Sequence, residues 1–173
     1  MYDALSTIWS TVVQEFSDVA DLADATRITV RLVVAMLLGG LIGYEREQRR
    51  KAAGLRTHML VALGAAVFVL APLESGMQIA DMSRVLQGVV AGIGFLGAGA
   101  IIKLDDEGII KGLTTAASIW MAAAIGITVG IGRETTAIMA TLLALFILVV
   151  LRWFERDQKE PAHAAKGRGN RQG

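Results

Sequence analysis

Residues 85–132, VLQGVVAGIGFLGAGAIIKLDDEGIIKGLTTAASIWMAAAIGITVGIG, decide the fold. Two apolar segments in this stretch, both rich in Gly, Ala, Ser and Thr, flank a short charged loop. Apolar segments approaching 20 residues match the thickness of a bilayer, and small side chains let neighbouring membrane helices approach closely. The stretch therefore predicts a polytopic membrane protein built from closely packed helices.

Similar apolar segments occur along most of the chain. The chain has 173 residues, of which 54% are hydrophobic, and these residues are concentrated in blocks separated by charged loops. We predict an all-α fold class, a polytopic membrane helix bundle with about five transmembrane helices. The predicted spans are 28–44, 57–73, 85–102, 113–131 and 134–151.

The segments on either side of the bundle differ from it in composition. Residues 1–26 place apolar side chains at helical spacing opposite an acidic face, which predicts an amphipathic helix at the membrane interface; a poorly ordered acidic tail is the alternative. The predicted transmembrane domain is 27–152. The basic residues 153–173 predict a disordered tail. We expect no cleavable signal peptide, because the first residues lack a basic region.

Basic residues predict the orientation of the bundle. They are concentrated in the loop after the first span and in the C-terminal tail, and five spans place these two segments on the same side. The positive-inside rule makes that side the cytoplasm, whereas the acidic N-terminal segment and the loop with Glu74 and Asp81 lie outside. We therefore expect an outside N-terminus and a cytoplasmic C-terminus.

Glycines recur every four residues in three of the predicted spans. Such G-x-x-x-G pairs predict close helix packing. The third span also matches G-x-G-x-x-G, but a dinucleotide site needs this pattern between a strand and a helix, so we predict no nucleotide cofactor. Local unwinding of the third span is the alternative, since broken helices expose backbone groups that bind ions in transporters. The glycines assigned to helix packing are Gly39, Gly43, Gly88, Gly92, Gly94, Gly97, Gly99, Gly126 and Gly130.

Charged residues meet where the first span ends and the second begins. A carboxylate at the membrane boundary is unfavourable unless it is paired. We predict a cytoplasmic polar cluster that serves as a docking surface, a cation site or a proton relay; a charged girdle that only fixes topology is the alternative. The cluster consists of Glu45, Arg46, Arg56, Thr57 and His58.

Four further polar residues are candidates for defined roles. Arg31, within the first span, is expected either to extend to the outer head groups or to pair with a carboxylate inside the bundle. Thr114 and Thr115 can form hydrogen bonds along or across the fourth helix. Lys103 flanks the acidic triplet 105–107, for which we expect a solvated loop rather than a Mg²⁺ site, because three consecutive carboxylates cannot all face one ion.

The composition also excludes several kinds of site. The chain has no Cys, which excludes disulfides, Cys-based metal sites and thiol catalysis. Its two histidines, His58 and His163, have no nucleophile at a recognisable spacing. We therefore predict no catalytic, cofactor-binding or metal-binding residues, no enzyme activity and no nucleic-acid partner.

Four motifs resemble the MgtC/SapB family of bacterial inner-membrane proteins. The resemblance covers about 31–150 in the family's order and spacing, and it implies a small protein of the bacterial inner membrane with about five spans and an outside N-terminus. The motifs are GGLIGYERE at 39–47, AGLRTHMLVALGAA at 53–66, GIGFLGAGAIIK at 92–103 and GLTTAASIWMAAAIGITVG at 112–130.

The resemblance also carries functional expectations. It implies a link to growth in scarce Mg²⁺, and in some relatives to survival inside macrophages. The best-developed view is that such relatives regulate other membrane proteins, including the proton-translocating ATP synthase. Virulence-type relatives carry a soluble C-terminal domain that resembles ACT regulatory domains, whereas only residues 152–173 follow Leu151 here. The sequence resembles the shorter form, and functions of that domain are not carried over.

Two functional hypotheses follow. The first is a non-enzymatic regulator linked to Mg²⁺ limitation or acid stress, with the lipid bilayer and another inner-membrane protein, such as ATP synthase, as its partners. The second is a Mg²⁺ or cation transporter or channel. This second hypothesis requires a homo-oligomer, because five short spans rarely enclose a pathway alone.

Overall fold

The computed structural model describes residues 2–17, 21–101 and 111–151. Within these ranges all regular structure is helical, which confirms the predicted all-α fold class. The helices are α1 (Tyr2–Glu15), α2 (Leu22–Gln48), α3 (Leu55–Glu74), α4 (Ser83–Ile101), α5 (Leu113–Gly130) and α6 (Glu134–Phe146). A short 3₁₀ turn, Ile79–Met82, leads into α4, and a π-helical turn, Ile147–Leu151, extends α6.

Five helical segments are long and apolar enough to cross a membrane, as the sequence predicts. They are Leu22–Gln48, Leu55–Glu74, Ile79–Ile101, Leu113–Gly130 and Glu134–Leu151. The chain is therefore a multi-pass membrane protein.

The first of these helices, α2, begins earlier than predicted. The Asp21 carboxylate caps it by accepting a hydrogen bond from the Asp24 backbone N–H at 2.8 Å. The predicted boundary between residues 26 and 27 consequently lies inside α2. With 27 residues, α2 is about 40 Å long, so its polar ends extend beyond a hydrocarbon core of about 30 Å.

The bundle is organised around α5, which packs against α2, α3, α4 and α6. The helices α2 and α3 also pack extensively against each other, and α6 packs against α2. Alanines and branched aliphatic residues fill the contacts, and the small side chains allow the helices to lie close together. The principal buried cluster consists of Ala35, Leu38, Ile42, Ala66, Ile125, Val129, Ala137 and Ala144.

The closest helix approaches are centred on Ala62 of α3. A Cβ atom on Gly39 of α2 would lie 2.6 Å from the Ala62 side chain, and a Cβ atom on Gly126 of α5 would collide with the Ala62 carbonyl oxygen. Only glycine fits at both positions. This packing fixes α2, α3 and α5 relative to one another and holds the polar residues at their ends.

The N-terminal helix α1 is amphipathic in sequence and lies outside the buried core. The exposed fraction of its apolar side chains is at least 42%. They have no apolar neighbour to cover them within the described chain, so the expected position at a lipid interface stays a prediction. The exposed apolar residues of this segment are Leu5, Ile8, Trp9, Val12, Val13 and Phe16.

The helix α4 is continuous from Ser83 to Ile101. It packs mainly against α5 and only lightly against α3. The alternative that the third span unwinds around Gly94–Gly99 is therefore wrong. Most of α4 is exposed, including Phe95, whose exposed fraction is 82%.

Candidate functional site

A tight bend between α2 and α3 forms one end of the bundle. Arg50 adopts a left-handed backbone conformation (φ 52°), and its N–H donates to the Glu47 carbonyl at 2.8 Å. Gly54, which precedes α3, has no side chain to cap it. The Glu47 carboxylate takes that role by accepting a hydrogen bond from the Leu55 N–H at 2.8 Å. A carboxylate there also interacts favourably with the positive end of the α3 dipole.

Beneath this bend, Glu45 and Arg46 form a buried ion pair. The Arg46 side chain is 3% exposed and contacts Glu45 Oε2 through both Nε and Nη2. Arg49, one turn further along α2, approaches the other carboxylate oxygen of Glu45 at 3.4 Å. The charge of Glu45 is therefore shared between two guanidinium groups. Such a pair is costly to break, because either partner alone would be a buried, uncompensated charge.

His58 connects the bend to the interior of the bundle through two hydrogen bonds. It is fully buried, and its Nδ1 lies 2.8 Å from the Gly54 carbonyl. Its Nε2 lies 3.0 Å from the Ser118 hydroxyl on α5, which in turn lies 2.8 Å from the Thr115 carbonyl. Gly43 of α2 lets the start of α3 approach closely here, since a Cβ atom on it would lie 2.8 Å from the Leu55 Cα and 2.9 Å from the His58 Cβ.

The His58–Ser118 contact can accommodate either of two proton arrangements. A carbonyl only accepts, so Nδ1 must carry a proton that it donates to Gly54. In neutral His58 the Ser118 hydroxyl donates to Nε2. In protonated His58 both ring nitrogens donate, and the hydroxyl turns to the Thr115 carbonyl. The arrangement can thus bind one proton by rotating one hydroxyl.

The predicted cytoplasmic polar cluster separates into an inner and an outer part. Glu45, Arg46 and His58 are buried, whereas Arg56 and Thr57 are exposed. Helix geometry explains the split, because consecutive residues point about 100° apart and three in a row cannot all face one site. The structure adds Ser118 as a partner of His58. A hydroxyl in an apolar helix signals a polar contact, but sequence alone does not show which helix provides the partner.

At the other end of the bundle, Arg31 holds the α5–α6 turn. Its Nη1 donates to the Gly130 carbonyl at 3.3 Å, and its Nε lies 3.6 Å from a Glu134 carboxylate oxygen. The structure pairs Arg31 with a carboxylate, but Glu134 lies at the start of α6 with 37% of its side chain exposed rather than inside the bundle. The guanidinium also lies at the C-terminal end of α5, where a cation interacts favourably with the helix dipole.

The glycines assigned to helix packing fall into three groups. Gly39, Gly43, Gly126 and Gly130 lie against another helix so closely that a Cβ atom would come within about 3 Å of it. Gly97 lies in ordinary contact, with Ala116 Cβ 3.7 Å from a Cβ placed on it. A Cβ atom on the remaining four would meet no atom of the described chain within 4 Å; these are Gly88, Gly92, Gly94 and Gly99.

Three candidates remain to be placed. Thr115 is buried near the start of α5, whereas Thr114 is exposed. Lys103 and the acidic triplet 105–107 lie outside the described residues. Within the described part of the chain, no three His, Cys, Asp or Glu side chains come together in a way that could hold a metal ion.

Comparison with known proteins places these residues in a family context. The model of the MgtC family matches residues 32–157. Protein MgtC of Salmonella typhimurium strain LT2 is 45% identical over 124 residues, covering 71% of this chain and 52% of that protein. Protein MgtC of Brucella abortus strain 2308 is 48% identical over 123 residues, covering 70% of this chain and 50% of that protein.

A shorter relative matches more of its own length. Protein SrpB of Synechococcus elongatus is 41% identical over 143 residues, covering 76% of this chain and 77% of that protein. In contrast, the chain spans only about half the length of the two MgtC relatives. No solved structure matches the fold significantly.

Proposed function

This chain belongs to the MgtC family, and we propose that it is a non-enzymatic regulator that acts on other membrane proteins by direct contact. The proposal also includes the location in the bacterial inner membrane, with the α2–α3 bend facing the cytoplasm. The observation that carries the proposal is the division of the charged residues at this bend into a buried frame and an exposed cationic surface.

The exposed cationic surface, here called the basic surface, is formed by Arg50 and Lys51 in the bend and Arg56 at the start of α3. All three residues are exposed. The buried Glu45–Arg46 pair and the Glu47 cap hold the backbone beneath them. Charges held on a rigid frame favour recognition of an oppositely charged surface, because little ordering entropy is lost on binding. An acidic segment of another membrane protein is the partner that this surface fits.

The physiological role is a second part of the proposal. The link to Mg²⁺ limitation or acid stress rests on the resemblance of the four motifs to the MgtC/SapB family. ATP synthase is the partner that the same resemblance suggests.

A complementation experiment tests the basic surface. The gene is deleted in the source bacterium, and growth is measured in low Mg²⁺ and at acid pH with variants supplied from a plasmid. We expect the triple variant Arg50→Gln/Lys51→Gln/Arg56→Gln to reach the membrane in wild-type amounts but to lose complementation. The matched control, Arg27→Gln/Arg133→Gln, removes exposed cations at the other end of the bundle and should complement fully. Full complementation by the triple variant would exclude the proposed surface.

Ion flux separates the regulator from the transporter hypothesis. Purified protein is reconstituted into liposomes, and Mg²⁺ and proton fluxes are compared with those of empty liposomes. We expect no difference. Saturable flux above that of empty liposomes would instead support a transporter, and the oligomeric state of the active protein would then become the central question.

A further inference from the structure

An apolar groove runs along the membrane-facing surface between α3 and α4. It has a volume of 670 Å³. Gly64 of α3 and Gly88 and Gly92 of α4 lie along it, and a Cβ atom on any of them would meet no other residue within 4 Å. Phe68 and Leu96 contribute to its apolar walls. The three glycines thus leave a long depression that no side chain of the described chain fills.

The length of the groove matches one leaflet of a bilayer. Along α4 it extends from Arg84 to Leu96, which is a rise of about 18 Å at 1.5 Å per residue. Half of a hydrocarbon core of about 30 Å is about 15 Å. The groove is therefore about as long as one lipid acyl chain. Because it starts at the end of a spanning helix, it ends near the middle of the bilayer.

A cation lies at the outer end of this groove. Arg84 is the charged residue among those that line it, and its side chain is exposed. Two other arginines on this side of the membrane are engaged: Arg27 pairs with Asp24 at 2.6 Å, and Arg31 with Glu134. Arg84 forms no ion pair with the described residues. A guanidinium at head-group depth is well suited to bind a phosphate through two parallel hydrogen bonds.

We propose that this groove binds one anionic phospholipid, with an acyl chain along Gly64, Gly88 and Gly92 and the phosphate on Arg84. This inference is independent of the proposed regulatory function. It assigns a ligand class to the glycines Gly88 and Gly92 of α4, for which the described residues offer no packing partner.

A second copy of the chain fits the groove less well. Copies of one membrane protein share the same orientation, so a two-fold axis along the membrane normal brings residues of equal depth together. A symmetric dimer across this groove would place two Arg84 side chains at the same depth without an acidic residue of the groove to separate them. A phosphate compensates the charge of Arg84, whereas a second Arg84 opposes it.

Native mass spectrometry of the purified, delipidated full chain tests the proposal. Phosphatidylglycerol and phosphatidylcholine with identical acyl chains are titrated separately. We expect one saturable phosphatidylglycerol site, with an affinity on the order of tenfold above that for phosphatidylcholine, as is typical when a hydrogen bond to a charged group is gained. Arg84→Gln should abolish this difference. Arg133→Gln, which removes an exposed cation that does not line the groove, should preserve it.

Two glycine variants test the acyl-chain part of the site. Gly92→Leu should fill the groove and prevent saturable binding of either lipid. Gly94→Leu adds the same side chain to the same helix at a position that has equal space but does not line the groove, so it should bind like the wild type. Circular dichroism and the elution volume should be unchanged in both variants.

Three outcomes would overturn the proposal. The first is a head-group preference that Arg84→Gln leaves unchanged. The second is equal binding by the Gly92→Leu and Gly94→Leu variants, which would show general annular lipid only. The third is a wild-type dimer that Gly92→Leu dissociates, which would assign the groove to a second copy of the chain.

Discussion

The Ser118 hydroxyl on α5 lies 3.0 Å from the His58 imidazole on α3, and both side chains are buried. The same imidazole is bound at 2.8 Å to the carbonyl of Gly54 in the bend after α2. One side chain therefore connects three parts of the bundle. The His58 ring is fully buried, so the loss of either contact leaves one of its nitrogens without a partner.

Ser118→Ala tests this connection. We expect the variant to fold but to lose about 1–3 kcal/mol of unfolding free energy, because His58 Nε2 is left without a partner in an apolar environment. The measurement is the unfolding midpoint in mixed micelles with increasing SDS. Thr114→Ala, at an exposed position on the same helix, should leave the midpoint unchanged. Equal midpoints for Ser118→Ala and the wild type would contradict a stabilising role for the contact.

Glu45→Gln tests the buried ion pair. The substitution keeps the shape of the side chain but leaves the Arg46 charge without compensation. We therefore expect the free energy of unfolding to fall by about 3 kcal/mol. Glu74→Gln, at the exposed end of α3, is the control and should have almost no effect. The double variant Glu45→Gln/Arg46→Met should recover a large part of the loss, since it removes both charges. A double variant less stable than Glu45→Gln would argue against an unpaired charge as the cause.

Gly126→Ala tests the closest helix contact. Its methyl group would collide with the Ala62 carbonyl oxygen, which belongs to the backbone and cannot rotate away. We expect α5 to be displaced from α3 and the stability to fall by about 1–3 kcal/mol, as in other overpacked interiors. Gly94→Ala, at an exposed position of α4, should instead be neutral or stabilise by roughly 0.5–1 kcal/mol, because alanine favours a helix. The fraction of protein that stays monodisperse after heating should fall in Gly126→Ala but not in Gly94→Ala.

Substitutions of Arg31 and Glu134 test which contact holds the α5–α6 turn. The salt bridge is long, at 3.6 Å, and the Glu134 side chain is 37% exposed. Glu134→Gln should therefore lower the free energy of unfolding by at most about 1 kcal/mol. Arg31→Met also removes the hydrogen bond to the Gly130 carbonyl and should cost clearly more. Unfolding midpoints measure both effects. An equal loss in the two variants would make the salt bridge, rather than the carbonyl contact, the important interaction.

The number and approximate position of the spanning helices could be predicted because they depend on hydropathy and length alone. The start of α2 could not, since it is set by the Asp21 cap, which lies outside the apolar segment that marked the span. Polar residues before a membrane helix can belong to the helix or to the preceding loop, and hydropathy treats both alike.

The glycines show a different limit of sequence reasoning. Gly88 and Gly126 both belong to four-residue repeats, but Gly126 contacts α3 and Gly88 faces the groove. A repeat identifies a smooth helix face without identifying what covers it. Likewise, the pairing of His58 with Ser118 depends on the contact between α3 and α5, and this order of helices cannot be derived from the hydropathy of separate segments.

The position of α5 among the other four spanning helices has a consequence for biosynthesis. The chain emerges from the ribosome from its N-terminus, so α2 and α3 can associate while α5 has not yet been made. The α3 backbone that Gly126 later contacts stays open to lipid during that interval, and α4 must enter the membrane without occupying it. The light contact between α3 and α4 leaves this place vacant for the helix that is made later.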